Sequence, residues 1–430
     1  MHWLTRYRVR DYVRRSSWLM PTAAIPVALV VCPLVRLIDD ATRWRGLGYS
    51  PDAAKSLMNA ITPAALTLIV LILSTILLTI QLASTQLSPR LISGSLSRRS
   101  IKVCLSIFVF SYVFCAATTG RIEDRVPQLN VVIAVGLTMV SVGAALYLID
   151  YLAKELRPVQ MLARIAALGR AVIEQAYPEF ISGAGEPNPH HEWSALPTPC
   201  DKILHTGSSG VFLAMDLEGL AAFASETGGA VEVIPEVGDF VARGDLLFRV
   251  RPGAREISPS RLNAFVVFGD ERTAQQDPAF AFRILVDVAS KALSPAINDP
   301  TTAVLAIDQI HHLLRQVGLR RLGTGEVRDA DGNLRVLYRT PDWEDFVLLA
   351  VTEVRQYGAD SVQVARRLRA MLESLSAAVT PDRAAVLQEQ LRLLQGGVDR
   401  HFEDAADRAM AGKSDRQGVG GSTNGALRRG

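Results

Sequence analysis

Four long apolar runs, all before residue 153, constrain the fold of this chain more than any other feature of its sequence. Each is close to the roughly 20 residues that a helix needs to cross the hydrocarbon of a bilayer. After Leu152 charged residues recur every few positions, and no comparable run follows. We therefore predict four membrane spans followed by a soluble half. The runs are residues 18–38, 61–83, 103–119 and 131–152.

The soluble half divides into a β-rich part and a helical part. The segment "GGAVEVIPEVGDFVARGDLLFRV" alternates apolar and polar residues around two Gly-Asp turns, which is typical of short strands. It resembles half of the barrel-sandwich module of biotinyl and lipoyl carriers, but it contains no lysine to carry a cofactor. We predict a small β-module at about 207–252, a helical part at about 277–397, and no cofactor.

Together these segments predict a membrane α-helical bundle of four spans, followed by a soluble α+β cytoplasmic domain with a small β-module and C-terminal helices. The expected bounds are 1–152 for the spans, 153–410 for the soluble domain and 411–430 for a disordered tail. Basic residues cluster before the first run, between the second and third, and after the fourth, and such clusters stay in the cytoplasm. We expect both termini in the cytoplasm, a bacterial inner-membrane location, and the lipid bilayer as a partner.

The sequence contains no recognisable catalytic constellation. Its four cysteines form no CxxC pair, and three of them lie in apolar runs. Two adjacent histidines and a glutamate, at 190–192, could ligate a metal, but they lie in a proline-rich loop that is more typical of a solvated segment. Three arginines at 366, 367 and 369 indicate a solvated helix face, because neighbouring acids and a net charge of +3 give no nucleic-acid footprint. We predict no enzymatic activity, no metal site and no nucleic-acid partner.

Polar residues recur along the second run towards its expected cytoplasmic end. Hydroxyl and amide side chains at helical spacing either hydrogen-bond across a helix interface or line a neutral pore, and the sequence leaves both interpretations open. The middles of the second, third and fourth runs contain no acid or histidine, which argues against a proton-coupled pump. The stripe consists of Thr75, Thr79, Gln81, Thr85 and Gln86.

A polar turn, "SPAINDP", joins two predicted helices in the soluble half. Both helices begin with an Asp-Pro pair, at Asp277 and at Asp299, and an aspartate before a first-turn proline is typical of a helix N-cap. Ser294-Pro295 ends the earlier helix, because the residue before a proline is disfavoured in helical geometry. Capping accounts for Asp299 but not for Asn298, so Ser294, Asn298 and Asp299 also form a candidate interaction turn.

The stretch "QDPAFAFRILVDVASKALSPAINDPTTAVLAIDQIHHLLRQVG", with "STQLSPRL", "VPQL" and "GDFVARGDLL", resembles the bacterial predicted membrane proteins grouped as domain of unknown function family 2254. The resemblance runs from about residue 18 to about 394 and implies the architecture, but no catalytic residues. Two functions remain open. One is a homo-oligomeric channel or passive transport protein with a cytoplasmic regulatory domain. The other is a membrane-anchored sensor or scaffold whose soluble domain binds a ligand or partner protein.

Overall fold

A computed structural model describes most of the chain. The described residues are 12–13, 16–42, 48–86, 99–122, 126–155, 157–181, 201–251, 253, 258–273 and 276–420. They form two compact units, of which one ends at Gln160 and the other begins at Met161.

Four helices of the first unit are long and apolar enough to cross a membrane. They are α1 (Leu19–Thr42), α2 (Pro51–Gln86), α3 (Arg99–Thr119) and α4 (Gln128–Glu155). The four predicted runs coincide with these helices, except that Trp18 precedes α1. The prediction of four apolar spans is therefore confirmed.

Two buried clusters hold the four helices together, and α3 contributes to both. Phe114 and Cys115 pack with Ala28 and Cys32 of α1, while Phe108 packs near the other end of α3. Because α3 is the most enclosed of the four, much of its apolar surface contacts protein. The outward faces of α1, α2 and α4 carry exposed leucine, isoleucine and valine side chains, which suits contact with lipid.

Helix α5 (Pro158–Ala176) lies almost wholly in the second unit. It starts at a proline, because Pro158 has no backbone N–H and the first helical position needs none. Gly169 allows α5 to pack closely on the helical part, since a Cβ at this position would lie 2.7 Å from the Cβ of Ala281.

The β-module forms two small sheets. Its strands are β1 (Asp201–Leu204), β2 (Gly210–Met215), β3 (Ala230–Val233), β4 (Phe240–Val241), β5 (Leu246–Arg251) and β6 (Val266–Gly269). Helix α6 (Leu217–Thr227) separates β2 from β3, and α7 (Pro259–Leu262) and a 3₁₀ turn (Asn263–Phe265) precede β6. One sheet has the order β4-β2-β6. The other contains β1, β5 and β3, and two strands from later in the chain complete it.

Two strands lie inside the range that the sequence predicts as helical. They are β7 (Glu326–Arg328) and β8 (Leu334–Tyr338), and the five-stranded sheet has the order β1-β5-β3-β8-β7. β8 pairs in parallel with β3, and this pairing buries Val336 and Leu337. The prediction of helix over 277–397 is thus wrong between 326 and 338, because sheet pairing decides the structure of such a short apolar segment.

The remaining helices pack around a common apolar core. They are α8 (Pro278–Ala292), α9 (Pro300–Gly318), α10 (Trp343–Tyr357), α11 (Val362–Ser376), α12 (Pro381–His401) and the short α13 (Ala405–Ala411). Trp343 is buried, and its indole N–H donates to the Arg383 carbonyl at 2.8 Å. Phe282 of α8 contacts Phe346 of α10, with ring centroids 5.4 Å apart.

The structure differs from two further sequence predictions at the C-terminal end. Residues 412–420, within the predicted disordered tail, fold against α11, while residues 421–430 lie outside the described residues. Arg366 and Arg367, predicted on a solvated face, are buried. Arg366 donates hydrogen bonds to carbonyls of residues 412–420, and Arg367 forms an ion pair with Asp308.

Candidate functional site

The polar stripe of α2 is only partly available for contacts outside its own helix. The hydroxyl of Thr75 donates to the Leu71 carbonyl at 2.9 Å, and the hydroxyl of Thr79 donates to the Thr75 carbonyl at 2.8 Å. Both residues are half-buried beside the packed face, whereas Gln81 is exposed. The side chains of Thr85 and Gln86 lie outside the described residues. Thr75 and Thr79 therefore need no partner beyond α2.

A second line of polar residues, absent from the predicted stripe except for Gln81, follows the outward face of α2. Thr67, Ser74 and Gln81 are exposed and are spaced by seven residues, which is close to two helical turns. The leucines between them, Leu71 and Leu78, are each 57% exposed. We call Thr67, Ser74 and Gln81 the α2 line. The heptad spacing is visible in the sequence, but only the packed fold shows that it faces outward.

Two polar groups of the α2 line have no hydrogen-bond partner in the part of the chain that the structure describes. Thr67 donates to the Pro63 carbonyl of its own helix at 3.0 Å. Neither the Ser74 hydroxyl nor the Gln81 amide has a hydrogen-bond partner among the described residues. A primary amide exposed to hydrocarbon is costly unless its donors and acceptor are satisfied. The α2 line therefore requires either another protein surface or water.

A second polar group lies inside the first unit and joins three of its helices. The Cys32 sulfur is 3.3 Å from Arg121 Nη1 and 3.4 Å from Asn130 Nδ2, and Asn130 also donates to the Cys32 carbonyl at 3.0 Å. Thr118 lies 3.7 Å from the same sulfur. These contacts bridge α1, the end of α3 and the start of α4. Their arrangement is typical of polar groups that fix helix packing inside a membrane.

The predicted interaction turn is built from local hydrogen bonds. The Ser294 carbonyl accepts from the Asn298 amide at 2.9 Å, and the Asp299 amide donates to the Ala292 carbonyl at 2.7 Å. Asn298 has a φ of 48°, and it is the one non-glycine residue with positive φ in the described part of the chain. Asparagine tolerates this left-handed conformation better than most residues. Asn298 thus has a backbone role in the turn, and its side chain is exposed.

Both predicted caps occupy N-cap positions. The carboxylate of Asp299 accepts from the Thr302 amide, and that of Asp277 accepts from the Phe280 amide, each at 3.0 Å. The Ser294 hydroxyl donates to the Lys291 carbonyl at 2.7 Å and so belongs to the end of α8. The turn residues therefore have structural roles, and a contact with a partner stays a prediction.

Asp277 has a second role that its position in the sequence does not reveal. It is 2% exposed and forms an ion pair with Arg272. The Arg272 guanidinium lies against Gly238, where φ is 104° and a Cβ would come within 2.4 Å of Arg272 Cζ. Gly238 belongs to the turn between β3 and β4. Arg272 therefore joins that turn of the β-module to the first turn of α8.

Acidic side chains gather at this joint. Burial, with further contributions from Asp239, Asp345 and Asp277, raises the pKa of Glu236 to about 7, while Arg272 opposes the shift. Burial also raises the pKa of Asp277, although its hydrogen bond from Arg272 acts in the opposite direction. We call Glu236, Asp239, Arg272, Asp277 and Asp345 the carboxylate junction. Its members come from three distant segments, so no local sequence pattern predicts it.

No group of three or more histidine, cysteine, aspartate or glutamate residues in the described part of the chain is arranged to hold a metal ion. The histidines and the glutamate at 190–192 lie outside the described residues.

Four apolar helices followed by a mixed soluble unit define an integral membrane protein with a large soluble domain. The family of predicted membrane proteins DUF2254 matches residues 14–374, and the chain belongs to this family. It is similar to Uncharacterized protein MT1328 of Mycobacterium tuberculosis and Uncharacterized protein Mb1321c of Mycobacterium bovis. Each is 28% identical over 433 residues, which cover 94% of this chain and 80% of the relative. No solved structure matches the chain.

Proposed function

We propose that this membrane protein is a homo-oligomeric channel or passive transport protein of the bacterial inner membrane, with both termini in the cytoplasm. In this proposal copies of α2 meet at a common axis, and the soluble unit regulates the assembly. The observation that carries the proposal is the α2 line, in which Ser74 and Gln81 expose polar groups that have no hydrogen-bond partner in the described part of the chain, on a surface that is otherwise apolar.

The physical reason is the cost of leaving these groups in lipid. An unsatisfied amide in hydrocarbon is unfavourable by several kcal/mol, roughly 2–7 depending on the reference state. Rotational symmetry would bring the same side chain of every copy to one axis, where it could bond to its equivalents or to water. A face that is polar along one line and apolar on both sides suits this arrangement, because the leucines would pack between neighbouring copies.

The chemistry of the α2 line favours passive conduction over coupled transport. From Ile61 to Leu82, α2 contains hydroxyl and amide side chains but no charged residue. Proton-coupled transporters bury ionisable groups at this depth, because such a group must take up and release the proton. A neutral lining instead offers hydrogen bonds to water and to small solutes, and the soluble unit would supply any regulation.

Paired substitutions in reconstituted vesicles test the proposal. Ser74→Leu with Gln81→Leu removes the outward polar groups, and we expect solute flux to be lost while the oligomer persists. The matched control is Thr75→Val with Thr79→Val, which removes two hydroxyls that bond within α2, and here we expect flux to remain.

Two results would count against a conducting axis. If the Ser74 and Gln81 double variant falls apart into monomers in mild detergent, the α2 line is packing surface only. If the wild-type chain is a monomer under the same conditions, several copies cannot surround an axis.

A second candidate function is a membrane-anchored sensor or scaffold, and the carboxylate junction is the observation that favours it. Where the β-module meets α8 and α10, Arg272 forms an ion pair with Asp277 and also acts on the charge of Glu236, while Asp239 and Asp345 lie close enough to Glu236 to oppose its ionisation. Such a joint would respond to pH or to an approaching cationic group. This candidate is preferred if the chain is monomeric, conducts nothing, and changes the hydrogen-exchange protection factors of its soluble unit between pH 6 and pH 8.

A further inference from the structure

Residues 412–420, which we call the C-terminal strap, are held on α11 by main-chain hydrogen bonds. The guanidinium of Arg366 is 2% exposed and donates to the carbonyls of Gly420 at 2.9 Å and Lys413 at 3.3 Å. Gln363, one turn earlier, donates to the Gly418 carbonyl at 2.9 Å. These side chains bond to main-chain carbonyls of the strap, so they fix the position of its backbone on α11.

Asp415 folds the strap into its bound shape. Its carboxylate is 1% exposed and accepts from the amides of Gln417 and Gly418 at 3.0 Å and of Gly420 at 2.7 Å. Its own amide donates to the Arg366 carbonyl at 3.2 Å. The strap is therefore a compact loop around one carboxylate, and its nearby opposite charge is that of Arg366.

The strap lies over a polar group shared by α9 and α11. A Cβ at Gly418 would lie 3.0 Å from Val304 and 3.5 Å from Arg367 Cδ. Arg367 forms an ion pair with Asp308 at 2.5 Å, and its other nitrogen is 3.4 Å from His311 Nδ1. His311 Nε2 is buried and has no hydrogen-bond partner among the described residues.

The strap is attached by polar bonds and little apolar burial. Its one large apolar residue, Val419, is 74% exposed. Apolar burial is the main force that makes a segment part of a core, whereas polar groups can exchange their partners for water. Loss of one buried acceptor would thus release the whole loop, because Asp415 holds three of its amides.

We propose that the C-terminal strap is a releasable cover, locked by Arg366 and Asp415, that controls solvent access to Arg367 and His311. Released, it leaves the face of α9 and α11 open and its own backbone free to bind elsewhere. The proposal does not depend on whether the spans conduct.

Chemical modification of the full chain in mild detergent tests the cover. Diethyl pyrocarbonate acylates an accessible neutral imidazole, and mass spectrometry locates the product. His312 is the internal control, because it follows His311 on α9 but is exposed. In the wild-type chain we expect His312 to react and His311 to be protected. Burial and Arg367 lower the pKa of His311 to about 4, so its imidazole is neutral at pH 7 and its protection would not be due to protonation.

Asp415→Asn is the decisive variant, and Asp331→Asn, at an exposed loop position, is its matched control. We expect Asp415→Asn to increase the reaction of His311 by about tenfold, the factor that corresponds to one charge-assisted hydrogen bond. Trypsin should also cut faster after Lys413 and Arg416. Asp331→Asn should change neither rate.

Three results would overturn the proposal. The first is that His311 reacts as fast as His312 in the wild-type chain, which would mean that nothing covers His311. The second is that His311 stays protected both in Asp415→Asn and in a chain shortened after Gly412, which would mean that something other than the strap covers it. The third is that either variant raises tryptic cleavage throughout the soluble unit, which would mean that the strap is an integral part of the core.

Discussion

Replacing Glu236 by glutamine should stabilise the soluble unit at pH 8 and have little effect near pH 5. Burial and three neighbouring aspartates raise the pKa of Glu236 to about 7, against an ordinary value near 4.5. A folded-state pKa above the unfolded value means that the protonated carboxyl favours folding. This contribution is complete below about pH 4.5 and is lost as the pH rises through about 7.

The size of the effect follows from that shift. Each unit of pKa corresponds to about 1.4 kcal/mol, so a shift from about 4.5 to about 7 has an upper limit between about 3 and 4 kcal/mol. Solvent reaches part of the Glu236 side chain and screens the charge, which reduces the expected gain to about 1–2 kcal/mol. Glutamine keeps the shape of the side chain but carries no charge, so the variant avoids the penalty at high pH.

The assay is urea unfolding of the full chain at pH 5 and pH 8, followed by hydrogen exchange in β3 and β5. Glu226→Gln is the control, because it is the same substitution at a position on α6 that is exposed to solvent. Asp277, whose pKa is also raised by burial, leaves the variant some pH dependence of the same sign. The reasoning fails if Glu236→Gln and Glu226→Gln have the same free energy of unfolding at pH 8.

Three further predictions concern the turns and the topology. Asn298→Ala should cost about 1 kcal/mol of stability and Asn298→Gly almost nothing in a thermal melt, because alanine is strained at positive φ; equal melting points would contradict the turn geometry. Gly238→Ala should cost at least about 2 kcal/mol, since its Cβ would meet Arg272 and its φ is 104°; a neutral substitution would contradict both the positive φ and the contact with Arg272. Reporter fusions after residues 53 and 124 should lie outside the cell, and those after 95 and 425 inside; an inside signal after 124 would contradict the proposed orientation.

The parts of the fold that follow local rules were predictable from the sequence. Long apolar runs give spans because the bilayer leaves the backbone few alternatives, and the predicted runs match α1 to α4. The caps at Asp277 and Asp299 follow from the Asp-Pro pairs, because the first turn of a helix needs acceptors whatever its surroundings.

Features that depend on distant segments were not predictable. β8 finds its place beside β3, about a hundred residues earlier, where Val336 is opposite Val231. Arg366 is typical of an exposed helix position by its charge, but in the fold it is buried and donates hydrogen bonds to the strap. The carboxylate junction likewise arises where three segments meet.

The α2 stripe shows why a helical pattern alone does not identify a surface. A step of four residues connects Thr75 with Thr79, and no sequence pattern indicates that both hydroxyls bond within α2. Steps of seven connect Thr67, Ser74 and Gln81 equally well. Which line faces outward depends on where Ile72 and Ile76 pack, and that depends on α3 and α4.

Cross-linking in native membranes tests the central claim, that α2 meets other copies along the line through Ser74. Ser74→Cys and Leu73→Cys differ by one position on the same helix, and both residues are exposed, but they point about 100° apart. With a short bifunctional maleimide, and with the unmodified chain as the background for native cysteines, we predict covalent dimers for Ser74→Cys well above those for Leu73→Cys. Equal yields from the two positions, or no dimer from Ser74→Cys above the background, would contradict the claim.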